Sequence, residues 1–151
     1  MRAKLLFTAG ALLLAAVPAS ASDKSDALNT VDQAVQAFNK ADMDAFTAMC
    51  AANPVIIDSM MPNVWQGANA CADWWKAFDD GSKKQGMTDG VVSHGKPVHF
   101  DLMGDRAYVV FPGVYKFKMK GKSMTDKGAW AFSLQKVAAG WRIAGWSWAG
   151  Q

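Results

Sequence analysis

The hydrophobic pattern of the chain changes its period once, near Lys84. Before this point apolar residues recur at the spacing of helices, and after it they alternate with polar residues as in strands. A chain with helices first and strands afterwards is typical of an α+β fold, in which helices cover one face of a mainly antiparallel sheet. With 151 residues the chain has the length of one domain with a single core.

Three helices are predicted in the first half of the chain. The first spans about 25–40, and the second begins at Asp42, whose side chain can cap it. Asn53-Pro54 ends the second helix, because the residue before proline avoids the helical region. The third spans about 68–78 and ends at Gly81. The apolar positions that these helices turn toward the core are Leu28, Val31, Val35, Phe38, Phe46, Met49, Cys50, Cys71, Trp74, Trp75 and Phe78.

The second half is predicted to form antiparallel strands. The first extended segment, 86–102, contains an irregularity at His94-Gly95, because glycine within a strand pattern indicates a bulge. The next strand, 107–120, follows a turn and is interrupted at Pro112-Gly113. The remaining predicted strands of this half are 129–134, 141–143 and 146–148, and two short strands, 55–57 and 64–65, are predicted between the second and third helices.

The N-terminus has the pattern of a secretory signal peptide. Arg2 and Lys4 precede an apolar run at 5–17, and Ala19-Ser20-Ala21 provides a small-residue cleavage site. The run is shorter than the ~20 residues that a membrane helix needs. We therefore predict a signal peptide at 1–21, one mature domain at 22–151, a periplasmic or secreted location, and no membrane association after cleavage.

Two cysteines, Cys50 and Cys71, remain in the predicted mature chain. In an oxidising compartment an even number of cysteines favours a disulfide, and a bridge closing roughly 20 residues is worth about 3 kcal/mol in the chain-entropy model. Two buried free thiols are the alternative, because cysteine also packs well as a small apolar residue. The sequence leaves both arrangements open.

Charge and composition exclude several classes of function. A formal net charge of +3 does not indicate a nucleic-acid partner, and the chain contains no Glu, which excludes mechanisms built on a catalytic Glu. A metal site would need His94, His99 and a third ligand, for which Asp101 is the only near candidate. Two ordinary strand histidines are the simpler interpretation. We expect no metal and no cofactor.

Asp58 is the residue that the sequence singles out. It ends an apolar strand directly before a Met-Met-Pro turn, and a carboxylate buried near Trp and Met can act as a general base. The alternative is an Asp that bonds the backbone amides of the following turn. Several aromatic residues together can line an apolar ligand cavity. The residues expected to line such a pocket are Trp65, Tyr108, Tyr115, Phe117 and Trp146.

The order of several segments resembles the nuclear transport factor 2-like superfamily. The segments are 39–46, then Ile56-Ile57-Asp58, then Gly67 before a helix, and finally 138–148 at the C-terminal end. The resemblance extends from about Asp26 to Trp148 and is nearest to the SnoaL-like and ketosteroid-isomerase-like branch. It implies a cone of three helices wrapped by a strongly curved mixed sheet, with a pocket between them, and it implies a homodimer.

The resemblance also implies roles for particular residues. Asp58 and Gly67 reproduce the spacing of the general-base Asp and the Gly of ketosteroid isomerases. The two donors of those enzymes, a Tyr and an Asp, align with Ala34 and Trp130, so that the indole of Trp130 is the candidate donor that this chain has at these positions. Losing one such donor typically costs ~10²–10³ in rate.

Three hypotheses for function follow from these observations. The first is a binding protein for a small apolar or aromatic molecule, with Asp58 and Trp130 as the polar contacts. The second is a cofactor-independent isomerase, dehydratase or cyclase that uses Asp58 as the base and Trp130, Tyr108 or Tyr115 as the donor. The third is a non-catalytic dimerising module.

Overall fold

The structure is a computed structural model and describes residues 19–151. The predicted signal peptide lies outside the described residues except for its last three positions. The described part contains three helices and seven strands. The helices are α1 (Ala19–Asn39), α2 (Met43–Ala48) and α3 (Ala70–Gln85). The strands are β1 (Cys50–Ile57), β2 (Val64–Gln66), β3 (Met87–His94), β4 (His99–Met103), β5 (Arg106–Met119), β6 (Lys122–Val137) and β7 (Gly140–Gly150).

Helix α1 packs on the sheet through a stripe of small and β-branched residues. Ala27, Val31 and Ala34 are buried, and Leu28 and Phe38 pack partly buried against the same core. This is the apolar face that the helical spacing predicts. The helix also extends further toward the N-terminus than predicted, through mostly exposed residues that carry no apolar signal.

The C-terminal end of α1 is fixed to β3 by Asn39. Its side-chain nitrogen donates to the carbonyl oxygen of Val92, and its side-chain oxygen accepts from the Val92 amide, both at 2.8 Å. Because β3 is an edge strand of the sheet, these two bonds replace those that a further strand would make.

Helix α2 begins as predicted, because Asp42 caps it and accepts a hydrogen bond from the Ala45 amide at 3.0 Å. Its end differs from the prediction. The helix stops at Ala48, and β1 starts at Cys50 and runs through Asn53-Pro54. The proline is therefore within a strand, where its fixed φ is compatible with extended backbone.

Helix α3 is longer than predicted. It continues through Gly81 to Gln85 and ends at Gly86, which has a φ of 68° in the left-handed region. Lys83 and Lys84 in its last turn complement the negative end of the helix dipole. The positive φ at the helix end explains why Gly86 is the terminator, since only glycine adopts it without strain.

The strands form one mixed sheet in the order β2-β1-β7-β6-β5-β3, and β4 also pairs with β5. Only β1 and β7 are parallel among the described strands. Strand β5 pairs with β4 along its first half and with β3 along its second. The predicted segment 86–102 is thus two strands rather than one bulged strand, and β5 runs unbroken through Pro112-Gly113.

The inner and outer faces of β5 alternate as predicted. Tyr115, Phe117 and Met119 are partly buried on the inner side, whereas Lys116 and Lys118 are exposed. The predicted inner face of β6 is likewise buried, with a Trp, a Phe and a Leu at alternate positions. The α+β architecture, with N-terminal helices on one face of a mainly antiparallel mixed sheet, is confirmed.

Strand β7 keeps its large apolar residues on the inner face despite a change of parity. Trp141 and Ile143 occupy odd positions, whereas Trp146 and Trp148 occupy even ones, so a regular strand would turn the two pairs to opposite faces. The register against β6 shifts at Ala144, which restores the inward direction for the second pair. This irregularity brings two tryptophans into the space under the helices.

Candidate functional site

A cavity of about 370 Å³ lies between the helices and the inner face of the sheet. Its volume falls in the range of small-molecule sites, roughly 300–1,000 Å³. Nine of its lining residues are aromatic: Phe38, Phe46, Trp74, Phe78, Tyr115, Phe117, Trp130, Trp146 and Trp148. The others are Asp58, Ser59, Met60, Gly81, Ser82, Gln85, Met87, Val92, Met119 and Asp126.

Asp58 is half-buried in the cavity wall at the end of β1. One carboxylate oxygen accepts a hydrogen bond from the Met60 amide, and the other accepts from the indole nitrogen of Trp74, both at 3.1 Å. The first bond is the Asp–turn contact that the sequence suggested as an alternative. The second joins the side chain to α3, so that the carboxylate is held from two sides.

The turn that carries Asp58 is organised by Asn63. The side-chain nitrogen of Asn63 donates to the carbonyl oxygens of Asp58, Ser59 and Met60 at 3.1–3.2 Å. Its backbone oxygen accepts from the Asp58 amide at 3.1 Å. Asn63 has a φ of 73°, a conformation that asparagine tolerates better than most residues.

A second carboxylate, that of Asp126 on β6, lines the cavity beside Trp148. The indole nitrogen of Trp148 donates to Asp126 at 3.1 Å. The Trp148 ring lies against Gly113 and Gly128, which face each other across β5 and β6. A Cβ atom at Gly128 would come within 2.9 Å of the ring and collide with the Ala149 carbonyl, so glycine is required there.

Two further tryptophans of the wall, Trp130 and Trp146, are 7% and 5% exposed. Trp146 packs edge-on against Trp74, with ring centroids 4.6 Å apart. The indole nitrogens of Trp130 and Trp146 are buried, with under 1 Å² accessible and no hydrogen-bond partner among the described residues. In this conformation the Trp130 nitrogen has no surface open to the cavity, so donation to a bound molecule requires the side chain to move.

Three of the five residues predicted to line a pocket do so: Tyr115, Phe117 and Trp146. Tyr115 stacks on Phe117 with centroids 4.9 Å apart, and burial raises the pKa of its phenol. Tyr108 does not line the cavity, because it lies on the outer face of β5 and is 45% exposed. Trp65 does not line the cavity either. It is buried on the edge strand β2, which is separated from β7 by β1.

Cys50 and Cys71 form a disulfide bond. The bond joins the first residue of β1 to the first turn of α3. The sequence left a disulfide and free thiols open, and the structure has the disulfide. Because Asp58 and Trp74 also link these two segments, the bridge and the hydrogen bond together fix α3 against the strand that carries the carboxylate.

The two histidines lie apart from the cavity and pair with different carboxylates. His94 contacts Asp32 at 2.9 Å, and His99 contacts Asp101 at 2.7 Å. Within residues 19–151, no cluster of three or more His, Cys or Asp side chains has an arrangement that could hold a metal ion. No helix in that range is long and apolar enough to span a bilayer.

Sequence reasoning missed three polar features of the site: Asp126 itself and the indole donors of Trp74 and Trp148. A signal existed for Asp126. It lies four residues before Trp130 on the same strand, and the period of two puts both on the same face. The pairing of each tryptophan with a carboxylate joins separate elements and has no local signal.

This architecture recurs in the solved structures of other proteins. A nuclear transport factor 2-like superfamily protein from Salmonella enterica serovar Typhimurium LT2 has a TM-score of 0.73 at 14% identity, covering 87% of this chain and 92% of that one. A ketosteroid isomerase-like protein from Erwinia carotovora atroseptica has a TM-score of 0.66 at 19% identity, covering 83% and 94%. The CaMKII hub of S. rosetta has a TM-score of 0.67 at 18% identity, covering 84% and 95%.

The helices, the curved mixed sheet and the likeness to these structures define the nuclear transport factor 2-like cone fold. No curated protein sequence matches the chain. The sequence profile of the SnoaL-like domain matches residues 27–147. The chain therefore belongs to the SnoaL-like domain family, which confirms the resemblance inferred from its segments.

Proposed function

We propose that this protein binds a small apolar or aromatic molecule in the cavity between its helices and its sheet. The observation that carries the proposal is the lining: nine aromatic side chains surround about 370 Å³. Such a surface binds apolar groups by excluding water and by stacking. Asp58 supplies a polar contact, and Trp130 contributes its ring to the wall. The direct test is to fill the cavity with a larger side chain at Gly81, a residue of its wall, and to measure the loss of ligand affinity.

An enzyme that uses Asp58 as a general base is the second candidate, because this carboxylate lines the cavity. Isomerases, dehydratases and cyclases of this type also need a donor for the charge that develops on the substrate oxygen. The indole nitrogen of Trp130 is inaccessible, and Tyr108 lies on the outer face. Tyr115 is the remaining candidate of the three. The balance of these observations favours binding over catalysis.

A proton-exchange measurement separates the two functions. We expect the wild-type protein and the Asp58→Asn variant to exchange the α-hydrogens of 2-tetralone in D₂O at the same rate, because binding alone removes no proton. NMR spectroscopy measures this rate against buffer and against Asp105→Asn, an exposed carboxylate in the β4–β5 turn. An acceleration of about 10²-fold or more that Asp58→Asn abolishes would establish the enzyme instead.

We propose that the protein is exported and works in the periplasm or outside the cell. Two features support this location. The first is the signal-peptide pattern of residues 1–21. The second is the disulfide, since such bonds persist mainly in oxidising compartments.

We also propose a homodimer, as the resemblance implied. Three apolar side chains on neighbouring strands support it: Val55, Ile57 and Val64 are 41%, 53% and 47% exposed on one face of β1 and β2. Contiguous exposed apolar residues mark interaction sites. We expect light scattering to give a dimer mass for the wild type and a monomer mass for Ile57→Lys. A monomeric wild type at high protein concentration would contradict the proposal.

A further inference from the structure

We infer that the molecule bound in the cavity is a hydrophobic cation, an ammonium group attached to an apolar or aromatic body. The inference rests on the proposed binding function and adds the charge of the ligand. It follows from three properties of the cavity wall, which are the sign of its charges, the way those charges are held, and the nature of the surface around them.

The charged residues of the wall are all acidic. Asp58 and Asp126 line the cavity, whereas Lys, Arg and His are absent from its lining residues. In the part of the chain that the structure describes, neither carboxylate has a basic side chain within 4.0 Å. Uncompensated negative charge in a cavity wall attracts a cation and repels an anion.

Both carboxylates are held in place by neutral donors. Trp74 donates to Asp58 and Trp148 donates to Asp126, each from an indole nitrogen at 3.1 Å. A lysine or arginine in these positions would cancel the charge of the carboxylate, but an indole orients it and leaves the charge in place. Each carboxylate also keeps lone pairs for a further donor, since its oxygens have about four acceptor positions in all.

The remaining surface is suited to the same ligand. Rings of Trp, Tyr and Phe attract cations to their faces, and Trp does so best. Trp74, Trp130, Trp146 and Trp148 all belong to the wall, and their centroid distances of 4.6–6.1 Å show a continuous cluster. The buried indole nitrogens of Trp130 and Trp146 are inaccessible as donors. The wall thus offers an anionic oxygen only neutral donors, those of Ser59, Ser82, Gln85 and Tyr115, whereas it offers an ammonium group carboxylates and ring faces.

A pair of probes with the same shape and different charge tests the inference. Phenyltrimethylammonium and tert-butylbenzene differ in one central atom, nitrogen or carbon, and so in a single positive charge. We expect the cation to bind the wild-type protein at least roughly tenfold more tightly, as measured by tryptophan fluorescence at low ionic strength. Benzenesulfonate, which carries the opposite charge, should bind more weakly than either.

The outcomes distinguish this inference from the binding function on which it rests. If tert-butylbenzene binds as tightly as the cation or more tightly, the cation inference is overturned and the binding function stands. If neither probe binds, both are overturned. Tighter binding of the cation supports both.

Variants of the two carboxylates identify the source of the preference. We expect Asp126→Asn and Asp58→Asn each to reduce the affinity ratio of the cation to the neutral probe, by about threefold or more. Asparagine keeps an oxygen that can accept the indole hydrogen bond, and thermal unfolding shows whether each variant is folded. Asp105→Asn, which removes an exposed carboxylate of the β4–β5 turn, is the matched control and should keep the wild-type ratio. An unchanged ratio in both folded cavity variants would overturn the inference.

Discussion

Replacing Cys50 and Cys71 together with alanine will lower the free energy of unfolding by about 3 kcal/mol. The bridge spans 21 positions of sequence, and its loss restores to the unfolded chain the freedom of that loop. Alanine is chosen because Cys71 is buried, where a serine hydroxyl would add the cost of an unpaired polar group. Chemical denaturation measures the loss directly, and for a chain of this size it corresponds to a decrease in Tm of about 10 °C.

Reductant provides the control for this prediction. The wild-type protein in dithiothreitol should lose as much stability as the double variant, whereas the variant should not respond to dithiothreitol. Equal stability of the oxidised wild type and the variant would show that the bridge contributes nothing. A response of the variant to reductant would show that the reagent acts by another route.

The disulfide also illustrates what local sequence can establish. An oxidising compartment and an even number of cysteines favour a disulfide. A disulfide also requires that the two Cα atoms lie close together, and the distance between those of Cys50 and Cys71 is 6.8 Å. The distance depends on where α3 begins relative to β1, which is a property of the packed fold. The sequence could therefore predict the bond only as one of two alternatives.

Periodicity predicted most of the fold because each face of a helix or strand is either buried or exposed. It predicted the inner faces of α1, β5 and β6. It failed at element boundaries that depend on backbone conformation. Gly81 and Gly86 are both glycines near the end of the same helix, and only the φ of 68° at Gly86 identifies the terminator. Asn53-Pro54 is compatible with a strand as well as with a helix end, and the pairing of the flanking residues Cys50 and Val55 with β7 decided between them.

The parity of β5 separates Tyr108 from the other pocket residues of that strand. Across an unbroken strand, Tyr115 and Phe117 share a face with the buried Ala107, whereas Tyr108 lies on the opposite face. The same parity would have excluded Tyr108 from the pocket. The interruption predicted at Pro112-Gly113 removed this constraint, because it uncoupled the two halves of the strand.

Asp126 shows a different limit of sequence reasoning. Its parity with Trp130 was visible, but the predicted strand began at 129 and excluded it. The structure extends β6 back to Lys122, so that Asp126 faces inward. A single acidic residue on the inner face of a strand is costly unless it has a partner, and that partner, Trp148, is on another strand. Its role could be recognised only after β6 and β7 were paired.

Gly81→Phe will reduce the affinity of the cavity for tert-butylbenzene and phenyltrimethylammonium by at least about tenfold. Gly81 lies in the wall on α3, and a Cβ atom built there meets no other atom within 4 Å. A benzyl group at this position has open space to enter and takes up room that a ligand would use, and steric exclusion of even one methylene-sized group costs about tenfold or more. Tryptophan fluorescence titration measures the affinity of each probe.

Two matched variants make this result interpretable. Gly81→Ala should raise the free energy of unfolding by up to about 1 kcal/mol, because alanine is the better helix former, which shows that position 81 tolerates a side chain. Lys84→Phe places the same ring on an exposed position of α3 and should retain both affinities. Undiminished binding by a folded Gly81→Phe variant would mean that the probes bind outside this cavity. The substitution alters neither Asp58 nor Asp126. A loss of affinity for both probes therefore shows that they bind in the cavity, whatever the charge of the ligand.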